Sequence, residues 1–184
     1  MQLAQVAALV VLALAAFAVA VGVRSAGRIL TKTRQAEGFR GDIDDLARRI
    51  ETSLSDVSLL IDGVRRRATA ADSILENIDL ALDAVARYEE EVDALGGPPE
   101  AVRYRRAMAA ELQRAGRALE MVDHGCRMAA SGRKEERGPE ADTSIKRGYL
   151  NLIHARESIA EHALAARVAA EDASPVRRFQ GGRP

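Results

Sequence analysis

The sequence contains very little cysteine, proline or aromatic side chain. Its 184 residues include one cysteine, Cys126, five prolines, three phenylalanines, three tyrosines and no tryptophan. A single cysteine excludes an intramolecular disulfide and a cysteine-rich zinc site, agrees with a reducing compartment, and is usually a small core residue. Because alanine, arginine, leucine and glutamate dominate and proline is confined to a few positions, the composition predicts an all-α protein.

The chain also lacks an excess of charge of one sign and any known catalytic motif. Lysine and arginine together number 27, as do aspartate and glutamate. Arg65, Arg66 and Arg67 form a basic cluster, but an acidic segment follows it. The cluster therefore indicates a solvated helix face or an ion-pair partner, and no nucleic-acid partner is expected. Because there is no glycine-rich phosphate loop and no nucleophile elbow, we expect no enzyme activity, catalytic residue or cofactor.

Three histidines are the remaining candidates for a metal site. The acidic residues near them are Glu120, Asp123, Glu157 and Glu161. His124, His154 and His162 do not form the Glu-x-x-His pair that carboxylate-bridged bundle sites use. His154 and His162 are two helical turns apart, about 12 Å along the axis, which is too far to share one ion. We therefore predict no metal site.

The most informative feature present is one apolar run at the start of the chain. From Leu3 to Val23 it consists almost entirely of alanine, valine and leucine. At about 1.5 Å per residue this run reaches roughly 30 Å, the thickness of a bilayer's hydrocarbon core, which predicts a transmembrane anchor over residues 1–23. A cleaved signal peptide is the alternative, because residues 18–20 would pass as a cleavage motif, but the run is long and no basic residue precedes it.

The charges beside this run predict its orientation. Basic residues follow it at Arg24, Arg28, Lys32, Arg34 and Arg40. By the positive-inside rule, a single-pass anchor with a basic juxtamembrane linker over residues 24–38 places the C-terminal body in the cytoplasm. The lipid bilayer is thus one expected partner.

Glycine and proline divide the rest of the chain into three helices. The sequence Gly-Gly-Pro-Pro at 96–99 combines a helix-ending glycine with a helix-starting proline, and the stretch 131–141 is polar and turn-prone. Within a body of residues 39–172, the predicted helices span Phe39–Leu95, Glu100–Ala130 and Thr143–Asp172. The basic, glycine-rich segment 173–184 is predicted to be a disordered tail.

The first of these helices has the strongest pattern. Its apolar residues recur at intervals of four and three, as in a coiled coil. They are Phe39, Ile43, Leu46, Ile50, Leu54, Val57, Ile61, Val64, Ala68, Ala71, Leu75, Ile78, Leu82 and Val85. This helix would extend about 85 Å and the other two about 45 Å each. The shorter helices are therefore expected to fold back along its distal half as an antiparallel three-helix bundle.

The second and third helices carry apolar stripes of their own. The stripe of the second helix comprises Tyr104, Met108, Leu112, Ala115, Leu119, Val122, Cys126 and Ala129. The third helix has a main stripe at Ile145, Tyr149, Leu152, Ile159, Ala163 and Ala166, and a partial one at Leu150, Ile153, Leu164 and Val168. Two stripes give the third helix the broadest apolar face, which predicts that it packs between two others.

The difference in length leaves part of the first helix uncovered. Four seam residues would have no helix of their own chain to pack against, namely Ile43, Leu46, Ile50 and Leu54. Because exposed apolar stripes of this length favour self-association, we expect a homo-oligomer through this proximal seam.

These patterns favour a single-pass, membrane-anchored cytoplasmic scaffold or adaptor that acts through protein–protein interaction. A structural stalk or signalling rod of a membrane complex is the alternative. In outline, a tethered long helix resembles the peripheral-stalk subunits of rotary ATPases and the anchored coiled coils of bacterial envelope proteins. An exported coiled-coil protein is a third alternative.

Overall fold

A computed structural model of the chain is an antiparallel bundle of four α-helices. It describes residues 34–131 and 138–173 in full, and residues 2–33 and 134–137 as backbone alone. The helices are α1 (Gln2–Arg65), α2 (Leu75–Ala94), α3 (Val102–Ala130) and α4 (Lys134–Asp172), with 3-10 turns at Asp72–Ile74 and Pro99–Ala101. The predicted all-α class is confirmed, since no strand occurs in the part of the chain that the structure describes.

Contacts between the helices define an up-and-down arrangement. Each helix packs against the next one along the chain, and α1 also packs against α4. Arg156 and Arg167 of α4 form ion pairs with Glu51 and Asp44 of α1, each at 3.4 Å. Because the later residue of α4 pairs with the earlier residue of α1, these two helices are antiparallel. The four helices therefore enclose a single core, as in other up-and-down bundles.

Helix α1 ends at Arg65 in a hydrogen-bonded turn that reverses the chain. The amide of Ala68 donates to the carbonyl of Gly63 at 2.9 Å. The amide of Arg67 donates to the carbonyl of Val64, also at 2.9 Å. These two bonds make a Schellman motif, in which the left-handed position usually holds glycine. Here that position is Arg67, with a φ of 60°.

This turn corrects the predicted first helix. Phe39–Leu95 is wrong as one element, because α1 ends at Arg65 and α2 begins at Leu75. The four-three spacing continues in phase across the turn through Ala68 and Ala71, so the pattern itself does not reveal the break. Both alanines lie in the connection. The sequence there offers neither proline nor a glycine at the left-handed position.

The proximal seam of α1 is covered within the chain. Ile43, Leu46, Ile50 and Leu54 are at most 1% exposed and share one core with side chains of the other three helices. The predicted three-helix bundle is therefore a four-helix bundle. The premise that this seam lacks a partner in its own chain is wrong, because it assumed one 85 Å helix where two shorter helices run side by side. Burial of the seam needs neither a coiled coil nor a homo-oligomer.

The predictions for α3 and α4 are closer to the structure. Every residue of the predicted α3 stripe from Met108 to Cys126 is buried, as is the main α4 stripe at Ile145, Leu152 and Ile159. Helix α4 begins at Lys134, earlier than the predicted Thr143, and contains Pro139. Because Pro139 lies near the start of α4, its missing amide hydrogen removes one early hydrogen bond and the helix continues.

Helices α3 and α4 approach each other very closely. A Cβ atom at Gly148 would lie 2.7 Å from the carbonyl oxygen of Ala118 and 2.6 Å from a methyl of Val122. A Cβ atom at Gly125 would lie 2.7 Å from Ile145. Only glycine leaves room for backbones at this distance, because real Cβ atoms do not come so near to neighbouring heavy atoms. This glycine seam fixes the rotation of α4 about its axis.

The two ends of the chain carry predictions that fall outside the fully described residues. Among the residues whose side chains the structure describes, no helix combines the length and the apolar composition that a membrane crossing requires. The predicted anchor over residues 1–23 lies outside the residues with described side chains, as does most of the linker 24–38. The predicted disordered tail, apart from Ala173, also lies outside them.

Candidate functional site

The best candidate site is a groove at one end of the bundle, which we call the end groove. It lies between the start of α3 and the last turns of α4 and has a volume of about 780 Å³. Its lining comprises Pro99, Glu100, Arg103, Tyr104, Glu161, Leu164, Ala165, Val168, Ala169, Asp172 and Ala173. Two helices and a 3-10 turn thus form its walls.

The floor of the end groove is apolar and open to solvent. Leu164 is 54% exposed and Val168 is 45% exposed, although both lie on a helix that belongs to the core. The core side of α4 in this region is Ala163, Ala166 and Ala170, all buried. Since successive residues of a helix are about 100° apart around its axis, burying those alanines leaves Leu164 and Val168 on the open side.

This exposure corrects one step of the prediction for α4, which counted both apolar stripes as its packing face. The helix does lie between two others, α3 and α1, but the partial stripe does not make those contacts. Leu150, Leu164 and Val168 are all exposed. The glycine seam determines which side of α4 faces the core, and it selects the main stripe.

Tyr104 forms the aromatic wall of the end groove. The guanidinium of Arg103 lies 4.4 Å from the centre of its ring and also donates a hydrogen bond to its hydroxyl. A cation over an aromatic face is attracted by the ring quadrupole. Arg103 is therefore engaged with Tyr104, and the pair gives the groove one ordered side.

The rim of the end groove is mostly acidic. Glu100, Glu161 and Asp172 line it, against the single cation Arg103. Glu100 and Glu161 are both exposed. Because their charges surround an apolar floor, the groove favours a ligand that presents an apolar side chain flanked by basic groups.

The end groove lies at the end of the bundle where α1 enters. Arg167, one residue before Val168, is paired with Asp44 near the start of the fully described part of α1. The α2–α3 connection, with Pro99 and Glu100, closes the same end. The groove is therefore on the side of the body nearest to the apolar N-terminal run.

The histidines are distributed without forming a cluster. His124 and His154 are exposed and His162 is half-buried. Asp123, the acidic neighbour of His124, instead accepts hydrogen bonds of 2.8 and 2.9 Å from Arg127. Among the fully described residues, no three side chains of the metal-binding types come together.

The arginine cluster is partly neutralised where α1 ends. Asp62 forms ion pairs of 2.6 Å with both Arg65 and Arg66. The hydrogen bond from Arg65 and the charge of Arg66 hold the pKa of Asp62 below its ordinary value. Arg67 pairs with Asp142 of α4 at 3.4 Å, with both side chains largely exposed. These contacts match the expected role as an ion-pair partner.

Cys126 is a core residue, as expected from its sequence context. It is fully buried on α3 beside Gly125. Burial, together with the charge of Asp123, raises the pKa of the Cys126 thiol to about 11. Since the thiolate is the reactive form, this cysteine is unreactive in the folded protein.

Comparison with known proteins adds no assignment. No protein-family model, curated protein or solved structure matches this chain.

The end groove was not predicted from the sequence. The available signal was the partial stripe at Leu164 and Val168, which exceeds what one interface of α4 can bury.

Proposed function

We propose that this chain is a membrane-anchored adaptor whose four-helix body binds a segment of another protein in the end groove. The observation that carries the proposal is the exposed apolar floor formed by Leu164 and Val168 inside a walled, acidic-rimmed groove. Side chains of this type exposed singly are common, but two of them in one groove with Tyr104 suit an anchoring residue of a partner.

The expected ligand is a short basic segment with an apolar anchor. Leu164, Val168 and Tyr104 provide contact area for a large apolar side chain, while Glu100 and Glu161 provide charge complementarity to flanking arginine or lysine. Such rim charges mainly affect association rate and partner choice, whereas the apolar anchor supplies most of the affinity. The function is thus binding rather than catalysis.

The sequence supports the anchored part of the proposal. The apolar run Leu3–Val23 is long enough to cross a bilayer, and basic residues follow it. In this arrangement the body is cytoplasmic and the end groove faces the membrane side. The rod alternative loses its main support, which was a single long helix with an uncovered apolar seam. Helix α1 ends at Arg65, and the seam residues are buried inside the bundle.

A crosslinking experiment tests the groove as the binding surface. A photoreactive amino acid replaces Leu164 in the full chain within cells, and a matched chain carries it at Leu80, which is 60% exposed on α2 outside the groove. We expect one specific adduct from position 164 and none from position 80. The adduct from position 164 should disappear when Val168→Glu is added.

Two results would contradict the proposal. Equal adducts from both positions would indicate nonspecific contact, and persistence of the adduct with Val168→Glu would mean that the groove floor does not bind the partner. Orientation is tested separately with a reporter fused after Pro184. It should be active only in a form that requires the cytoplasm, and activity outside the cytoplasm would reverse the topology.

A further inference from the structure

The end groove finishes where the C-terminal segment of the chain begins. Ala173, the last described residue, is part of its lining. Ser174 and Pro175 follow directly. Because a residue before proline is disfavoured in the helical conformation, the sequence does not favour a continuation of α4 past Ser174. Residues 174–184 therefore follow in the chain directly after a residue that lines the groove.

The composition of this segment complements the end groove. Residues 174–184 contain three arginines and no acidic residue, and their only large apolar side chains are Val176 and Phe179. Arg177 and Arg178 lie between those two. This is the chemistry that the groove favours, an apolar anchor beside basic groups. Val176 and Phe179 are three residues apart, the spacing that repeats one face of a polyproline-type helix.

The length of the segment fits the distance it must cover. Leu164 lies nine residues before Ala173, about 13 Å back along α4 at 1.5 Å per residue. After a turn at 174–175, the four steps from Pro175 to Phe179 cover about 13 Å at roughly 3.3 Å per residue. The segment is therefore long enough for Phe179 to reach the level of Leu164.

We propose that residues 174–184 fold back and occupy the end groove of their own chain. In this arrangement Phe179 lies over Leu164 and Val168, and the two arginines lie beside Glu161 and Glu100. A tethered segment has an effective concentration in the millimolar range, so a weak contact is enough to fill the groove. The proposed occupancy rests on the groove lining and on the composition and length of the segment. Its regulatory consequence rests on the proposed function, since an external partner must then displace the segment.

Disulfide trapping in the full chain in detergent micelles tests the occupancy. One variant combines Ala165→Cys, a position in the groove lining, with Gln180→Cys, and the control combines Leu80→Cys with Gln180→Cys. Both variants keep Leu164, Val168 and Phe179. Cys126 needs no replacement, because it is buried and its thiol is unreactive. Under mild oxidation we expect the 165–180 pair to close intramolecularly at least tenfold faster than the 80–180 pair.

Charge reversal tests the mode of docking. Adding Arg177→Glu and Arg178→Glu to the 165–180 pair should slow closure several-fold, and adding Glu100→Arg and Glu161→Arg as well should restore it. Equal closure rates for the two cysteine pairs would overturn the proposal. So would a product that is mainly a disulfide-linked dimer, because the occupant would then be a second copy. Closure unaffected by either charge change would overturn the assignment of the two arginines.

One further comparison separates this inference from the proposed function. The chain ending at Ala173 is tested with the photoreactive residue at position 164. If both ideas hold, the yield of the partner adduct rises when the segment is removed. Fast disulfide closure without any partner adduct would retain the occupancy and remove the adaptor function. A partner adduct with equal closure rates for the two cysteine pairs would do the reverse.

Discussion

The α3–α4 and α1–α2 pairs solve the same packing problem in different ways. Between α3 and α4, Gly125 and Gly148 have no side chain, so the backbone of each helix lies against main-chain and side-chain atoms of the other. Across α1–α2, a groove of about 490 Å³ separates the helices near Arg49 and Glu91. The first pair is held by close packing, and the second depends on side chains that reach across a gap.

The reaching side chains of the α1–α2 pair form a small network. Arg49 donates to both carboxylate oxygens of Glu91 and also pairs with Asp45 at 3.3 Å. Its guanidinium lies 5.8 Å from the centre of the Tyr88 ring. All of this is partly exposed, and exposed ion pairs contribute little to stability. Substitutions should therefore change stability much more at the glycine seam than at this network.

The largest expected effect is at the glycine seam. Gly148→Ala places a Cβ atom 2.7 Å from the carbonyl oxygen of Ala118, a backbone atom that cannot move without shifting α3. We expect the free energy of unfolding, measured by urea titration, to fall by about 2 to 3 kcal/mol.

The matched control is Gly116→Ala on α3. A Cβ atom there would lie 3.8 Å from Val85, an ordinary contact. This substitution should raise the free energy of unfolding by about 0.5 to 1 kcal/mol, since alanine is the better helix former. Similar values for the two variants would show that α3 and α4 are not in close contact.

An intermediate effect of opposite sign is expected where α1 turns toward α2. Arg67→Gly removes the cost of a left-handed conformation, which is about 1 to 2 kcal/mol for a residue with a side chain. Part of this gain is offset, because glycine increases the entropy of the unfolded chain. The lost ion pair with Asp142 is exposed and contributes little. We expect a net gain of about 0.5 to 1 kcal/mol in the free energy of unfolding.

Arg66→Gly is the control for this prediction. Arg66 lacks the positive φ of its neighbour and forms an ion pair with Asp62. Its replacement should destabilise the protein slightly. If Arg67→Gly also destabilised, the Schellman turn would be wrong and the long helix of the sequence interpretation would regain support.

The smallest expected effect concerns the charge network. The hydrogen bond and charge of Arg49 hold the pKa of Glu91 below its ordinary value of 4.5. The stabilisation is therefore complete above pH 4.5 and is lost as the pH falls through the lower folded-state pKa. Glu91→Gln should reduce the free energy of unfolding at pH 7 by under about 1 kcal/mol, because Glu91 is partly exposed.

The difference between this variant and the unmodified chain should vanish in acid. Glu90→Gln serves as the control, because Glu90 is exposed and makes no ion pair with the described residues. It should show no such pH dependence. A Glu91→Gln effect that persisted at low pH would mean that packing, rather than charge, holds α2 against α1.

The sequence predicted the core better than the connections. The apolar spacing identified Ile43, Ile50, Leu112 and Leu119, because burial of a helix face imposes its period directly on the sequence. The turn after α2 was predictable because glycine and proline mark it. The turn after α1 was not, because Arg67 occupies the position where glycine is the usual signal.

The end groove could not be predicted from the apolar pattern of α4 alone. Leu164 and Val168 look like core residues when the stripe of α4 is considered alone. Whether they are buried depends on how α4 is rotated against α3, and Gly125 and Gly148 determine that rotation through contacts distant in sequence. A pair of facing glycines on two predicted helices is the signal that could have indicated it.

The burial of Cys126 makes its thiol a probe of local opening of the folded protein. Its thiol is buried in the core beside Gly125, so a thiol-modifying reagent can reach it only after the surrounding helices separate. In the limit of fast reclosing, the labelling rate divided by the rate for an exposed thiol equals the equilibrium constant for that opening. The natural chain thus allows a direct measurement of how often its core opens.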